Sequence, residues 1–141
     1  MLSSTQQFID ALEAKGIKYE INEPTESGKD VMTVTYSGDS MPTIRCRFFF
    51  DEDCEGVAIR VFDIAKFPAS KLDAMYPVVN TLNSKFRFAK FCIKTADSTV
   101  QAEMDAAFRD HDVGEICWEL LSRCVNICDA AYPDLMKALW A

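Results

Sequence analysis

The chain has 141 residues, about one domain's worth, with 49% hydrophobic and 26% charged side chains. That balance belongs to a folded domain with a real core and excludes a disordered chain. Acidic residues outnumber basic ones 22 to 15, a net charge of −7, so generic binding to nucleic acid or an anionic membrane is disfavoured, because both need a basic footprint.

The first expected element is a helix from Thr5 to Lys15, with Ser4 as its cap and Gln7 returning the bond to the cap backbone. Phe8, Ile9, Ala11 and Leu12 form its apolar side, and Gly16 closes it in the left-handed conformation. The period then changes to two. Ile17, Tyr19 and Ile21 alternate with polar neighbours, as do Met32, Val34 and Tyr36; Ile44, Cys46, Phe48 and Phe50; and Val57, Ile59 and Val61. These read as four strands of an antiparallel meander. Pro68 is expected to open a second helix, with Leu72, Met75, Val79 and Leu82 as its stripe and Pro77 as a kink. Two strands follow, Phe86 to Thr95 and Val100 to Phe108. A last helix spans Val113 to Ala130, with Val113, Cys117, Leu120, Leu121, Cys124 and Cys128 facing the core and Tyr132-Pro133 breaking or bending it. The order α-β-β-β-β-α-β-β-α describes one α+β domain over residues 1–141, an antiparallel sheet of about five or six strands with helices packed on it.

Specific words inside this order resemble the YbjN-like family, also called bacterial sensory transduction regulators. The stretch Tyr76 to Phe88 carries them, with Asn80-Thr81-Leu82-Asn83 closing a helix before a Phe-rich strand, as does the ending Ala131-Tyr132-Pro133-Asp134-Leu135-Met136. The resemblance implies the fold of type III secretion chaperones, often homodimeric, and a non-catalytic role linked by name to regulation. It assigns no chemistry to the two asparagines. A local reading suffices for them: Asn83 as a left-handed cap, Asn80 bonding backbone in the next turn.

The residues that usually carry chemistry are sparse. His111 is the single histidine and sits beside Asp110 and Asp112 in an expected turn, with no nucleophile at a helical spacing from it. The glycines are too dispersed to cradle a phosphate. The segment from Asp51 to Gly56 imitates the opening of a calcium loop, but the position that needs a bidentate Glu is Phe62, and strands flank the segment. The six cysteines contain no C-x-x-C pair. Cys117, Cys124 and Cys128 share a helix face and read as small buried hydrophobes. Unpaired thiols point to a reducing, cytoplasmic setting. No apolar run reaches the ~18 residues of a membrane span, and the opening residues show no secretory signal. No cofactor, metal or catalytic residue is therefore expected.

The second face of the sheet is the informative surface. Arg45, Arg47 and Phe49, then Arg60, Phe62 and Ile64, then Phe86, Phe88 and Lys90 are expected on it. A half-covered sheet normally turns polar residues outward, whereas arginine and aromatic side chains together favour binding surfaces. The expectation is a protein-binding or regulatory module whose mixed face meets a protein or peptide partner or a second copy in a homodimer. A small enzyme or a thiol-based sensor with a site assembled only in space is the alternative.

Overall fold

A computed structural model describes residues 1–22, 28–109 and 111–141. The elements run α1 (Ser3–Ala14), β1 (Glu20–Asn22), β2 (Asp30–Tyr36), β3 (Ile44–Phe50), β4 (Gly56–Lys66), α2 (Leu72–Lys85), β5 (Lys90–Lys94), β6 (Thr99–Ala107) and α3 (Val113–Trp140). The strands form one antiparallel sheet in the spatial order β1-β2-β3-β4-β6-β5. This is the α+β order read from the sequence.

Strand alternation decides which face the helices cover. Met32 lies opposite Phe48, Phe48 opposite Ile59, and Ile59 opposite Met104, a row across four strands. None of the four is more than 3% exposed. Burying side chains of this size stabilises the fold by roughly 1.5–3 kcal/mol each. α3 lies on β3, β4 and β6, α1 packs on α3, and α2 packs on β5 and α3. Phe8 of α1 meets Phe48 at 4.7 Å between ring centroids. α1 and α3 approach closely because residue 114 has no side chain: a Cβ on Gly114 would stand 3.0 Å from the Ala11 Cβ and 3.2 Å from the Gln7 carbonyl oxygen.

Several element ends differ from expectation, each for a local reason. α1 starts at Ser3, with Leu2 in the cap position and no side-chain cap, so Ser4 lies inside the helix instead of capping it. At the other end Gly16 has φ +69. The Gly16 N–H donates to the Glu13 carbonyl and the Ile17 N–H to the Leu12 carbonyl, the paired bonds of a Schellman closure. Ile17 is thus part of the helix end, and β1 keeps only three residues. β4 runs past Phe62 to Lys66 through an irregularity between Val61 and Ala65, where Asp63 takes φ +52. Pro68 is extended and precedes a 3-10 turn, Ala69–Lys71, that leads into α2.

Both helices with an internal proline continue through it. α2 passes Pro77, and α3 runs 28 residues through Pro133 instead of breaking there. Ala131 and Leu135, on either side of Pro133, are completely buried. Their packing outweighs the ~3 kcal/mol that an interior proline costs.

β5 begins at Lys90 and not at Phe86, and Asn83 explains why. Asn83 stays helical, contrary to the expected left-handed cap, and its amide faces the incoming strand. Its Nδ2 donates to the Phe91 carbonyl at 2.9 Å, and its Oδ1 accepts the Phe91 N–H at 2.6 Å. To present Phe91 there, residues 86–89 must turn, with Phe88 at φ +74. Asn80 is exposed. The Lys90 ammonium donates to the carbonyls of Asn83 and Phe86, placing a cation at the helix C-terminus where the dipole favours it.

Candidate binding face

The sheet face away from the helices carries Thr33 and Thr35 of β2, Arg45, Arg47 and Phe49 of β3, Arg60 and Phe62 of β4, and Gln101, Glu103 and Asp105 of β6. Strand register fixes this: Arg47 opposes Thr33 on one side and Arg60 on the other, and Arg60 opposes Glu103. Five of the nine residues expected on this face present their side chains there: Arg45, Arg47, Phe49, Arg60 and Phe62.

Phe86 and Phe88 are not. They lie in the turn before β5, which begins at Lys90 because Asn83 holds the Phe91 backbone. Phe88 is 49% exposed, and its ring lies 4.2 Å from the guanidinium carbon of Arg123 on α3, which puts it on the helical side. Phe86 is partly buried against the core. Ile64 also leaves the face, since the irregularity after Val61 turns it into the core at 5% exposure. Lys90 has the right register, but its ammonium is drawn to the end of α2.

The two central arginines differ in their partners. Arg60 is held from several sides: its guanidinium stands 3.0 Å from Asp105 and 3.4 Å from Glu103, and it donates to the carbonyls of Ile59 and Met104. It is a fixed part of the sheet surface. Arg47, directly opposite it, has no carboxylate in ion-pair range among the described residues, and neither has Arg45. Like charges opposed across strands repel, and the carboxylates of β6 answer only one of the two. Arg47 lies instead over two rings, 5.3 Å from the Phe49 centroid and 5.8 Å from that of Phe62. Such cation–π contacts are worth about 0.5–1 kcal/mol when exposed.

Phe49 opposes Ala58, four residues before Phe62. Extended strands would separate those positions by roughly 13 Å. The rings nevertheless meet edge to face with centroids 6.2 Å apart, so both side chains lean toward each other beneath Arg47. Phe62 remains 37% exposed.

Beside this cluster lies a groove of about 900 Å³. Its lining includes Glu20 and Asn22 of β1, Thr33 and Thr35 of β2, Arg45 and Arg47 of β3, and Phe62 and Asp63 of β4. Met41 and Thr43 form its end, on the β2–β3 loop. That loop is anchored from below by Asp129 of α3. One Asp129 oxygen accepts the N–H groups of Ser40 and Met41 at 2.8 Å, and the other that of Asp39 at 3.1 Å. These three donors, Met41 foremost, hold the Asp129 carboxyl below the usual carboxylate range. A Cβ on Gly38 would lie 2.3 Å from an Asp129 oxygen, so the anchor needs glycine there.

The other sequence candidates resolve as follows. His111 is exposed in the turn before α3, at φ +66. Residues 51–56 form the tip of the β3–β4 hairpin, with the Asp51 N–H on the Gly56 carbonyl and Lys29 paired to Asp51 at 3.0 Å. Cys117, Cys124 and Cys128 are buried on α3 as expected. Cys46 of β3 joins Cys124 and Cys128, a contact across 78 residues of chain that no spacing announces. The hydrogen bond with Cys124, and burial after it, push the thiols of Cys46 and Cys128 up, and burial alone pushes up that of Cys117. Among the described residues no group of three or more His, Cys, Asp and Glu is arranged to hold a metal ion. No helix among them is long and apolar enough to cross a membrane.

The sequence reading missed the carboxylates that neutralise Arg60 and the anchor of the groove's end. Gln101, Glu103 and Asp105 alternate with Ala102 and Met104, so their presence on the open face was readable. The Asp129 contact joins residues almost ninety apart and left no local signal. No known family model matches the chain, and no curated protein matches it significantly.

Proposed function

We propose that this chain is a non-catalytic protein-binding module that takes an extended, acidic peptide segment of a partner into the open-face groove. The observation that carries this reading is the pair Arg45 and Arg47, uncompensated among the described residues, at a concave site of about 900 Å³. Arg47 is preset by the rings beneath it, so little side-chain freedom is lost when a carboxylate arrives. Phe62 offers apolar surface at the same site, and the exposed Thr35 offers a hydroxyl. A second copy fits the groove less well, because homodimer interfaces are more apolar than this lining. The resemblance to YbjN-like regulators and the unpaired cysteines agree with a regulatory protein of the cytoplasm.

The test is an array of extended peptides graded in Asp and Glu content, probed with the wild type and with Arg47→Glu/Phe49→Asp. The expected result is retention of acidic peptides carrying one apolar side chain, weakened about tenfold or more in the double variant while far-UV circular dichroism is unchanged. Equal retention by both proteins, or none by the wild type, overturns the reading. Sedimentation of the two proteins reports whether the face joins copies instead.

A further inference from the structure

The thiols of this chain are not equivalent. Cys46, Cys117, Cys124 and Cys128 are buried, and Cys92 is half-buried with its thiol pushed up by burial and by Glu103. Cys54 has a different environment. It sits at the tip of the β3–β4 hairpin with φ +62, its own N–H donating to the Asp51 carbonyl. That conformation aims its sulfur at the first turn of α1.

α1 has twelve residues and no side chain capping its start, so its first N–H groups need an acceptor. The Cys54 sulfur stands in that place. The Ser3 hydroxyl donates to it at 3.6 Å, and the Ser4 backbone N–H faces it. The Ser4 hydroxyl is turned toward the same sulfur without bonding to it; Ser4 is 1% exposed, and its Oγ has no hydrogen-bond partner. A buried hydroxyl without a partner costs stability and is rare. Here it is a donor waiting beside a nucleophile. The Ser4 N–H first, then the Ser3 hydroxyl, hold the Cys54 thiol below its ordinary range.

We propose that Cys54 is a modification site for small neutral hydroperoxides, with the first turn of α1 as the cradle for the sulfur and for the oxygen that it gains. The thiolate sulfur attacks the outer oxygen of the hydroperoxide. A sulfur–oxygen bond forms, the oxygen–oxygen bond breaks, and the leaving alkoxide or hydroxide takes a proton from water. Sulfur loses two electrons to become a sulfenic acid, and the peroxide is reduced to the alcohol or to water. The added oxygen supplies the Ser4 hydroxyl with an acceptor.

Charge selects the oxidant. Glu52, Asp53 and Glu55 share the turn with Cys54, Asp30 accepts the Leu2 N–H at the helix start, and Lys29 is already paired to Asp51. Anionic disulfides are repelled from such a surface, whereas a neutral peroxide is not.

The experiment treats the folded wild type with hydrogen peroxide in the presence of dimedone and maps the adduct by peptide mass spectrometry. A parallel series measures iodoacetamide alkylation of Cys54 against pH. The expected result is a dimedone adduct at Cys54 and at no other cysteine, and an alkylation midpoint below the ~8.5 of a free thiol. Ser3→Ala should slow the labelling severalfold with circular dichroism unchanged. A midpoint at or above ~8.5, an adduct absent from Cys54 or shared with Cys92, or an unaltered rate in Ser3→Ala overturns the proposal. Faster modification by glutathione disulfide than by peroxide overturns the assigned oxidant class.

Discussion

Phe48 and Phe49 are neighbours in one strand and face opposite sides of one sheet. Phe48 is fully buried and touches Phe8 and Phe50. Phe49 lies on the open face with one ring for a neighbour and an arginine above it. The same side chain therefore does two jobs, set only by the parity of its position. On the helix side, apolar area is removed from water and the fold is held. On the open side, apolar area is kept near water among charges, where it adds little to stability and is available to a ligand.

The sharpest way to break this contrast is to truncate both residues. Phe48→Ala should cost about 3–5 kcal/mol, as large-to-small changes in a packed core do, and Phe49→Ala about 1 kcal/mol, both read from denaturant unfolding. Equal costs would mean that the open face is covered in solution. Asn83→Ala comes next. It strips both partners from the Phe91 backbone and should cost about 1–3 kcal/mol, with hydrogen exchange speeding up first in β5. Arg47→Glu sharpens the contrast from the other side. The new carboxylate would oppose Arg60 across the strands, so unfolding stability should hold or rise by about 0.2–1 kcal/mol, while binding of acidic peptides is lost. A mutant that loses stability and keeps peptide binding inverts the assignment.

The smallest expected effect is a pH dependence. The folded Asp129 carboxyl titrates below its unfolded value, so its contribution is complete above about pH 4. It is lost as pH falls toward the folded value. Asp129→Asn should therefore flatten the fall in stability below about pH 4 relative to the wild type. An identical slope in both proteins would show that the three N–H groups do not favour the charged carboxylate.

How much of this was readable in the sequence follows from the range of each interaction. Alternation of period two placed Arg45, Arg47, Phe49, Arg60 and Phe62 on the correct face, because side-chain parity is a local property of a strand. The same logic failed for Phe86 and Phe88, since it assumed that the strand had already begun. The start of β5 is set by the Asn83 amide, eight residues away and in a different element. Local cost alone points to a break or bend at Pro133, whereas the helix continues because Ala131 and Leu135 are buried by parts of the chain distant in sequence. The groove's end, fixed by Asp129, depends on two segments that meet only once the chain has folded.

The bonds between Asn83 and Phe91 also bear on how the sheet meets other chains. β5 is an outer strand, and the Phe91 N–H and C=O both point away from β6, into the amide of Asn83. A foreign strand approaching that margin would find its central docking groups already taken, and the exposed Lys90 and Lys94 on either side. Outer strands with unmet backbone groups are where sheets extend into aggregates or recruit partners. With one side chain occupying the Phe91 groups, the two outer strands of the sheet are unlike: β5 is engaged by α2, and β1 lies at the far end beside the groove.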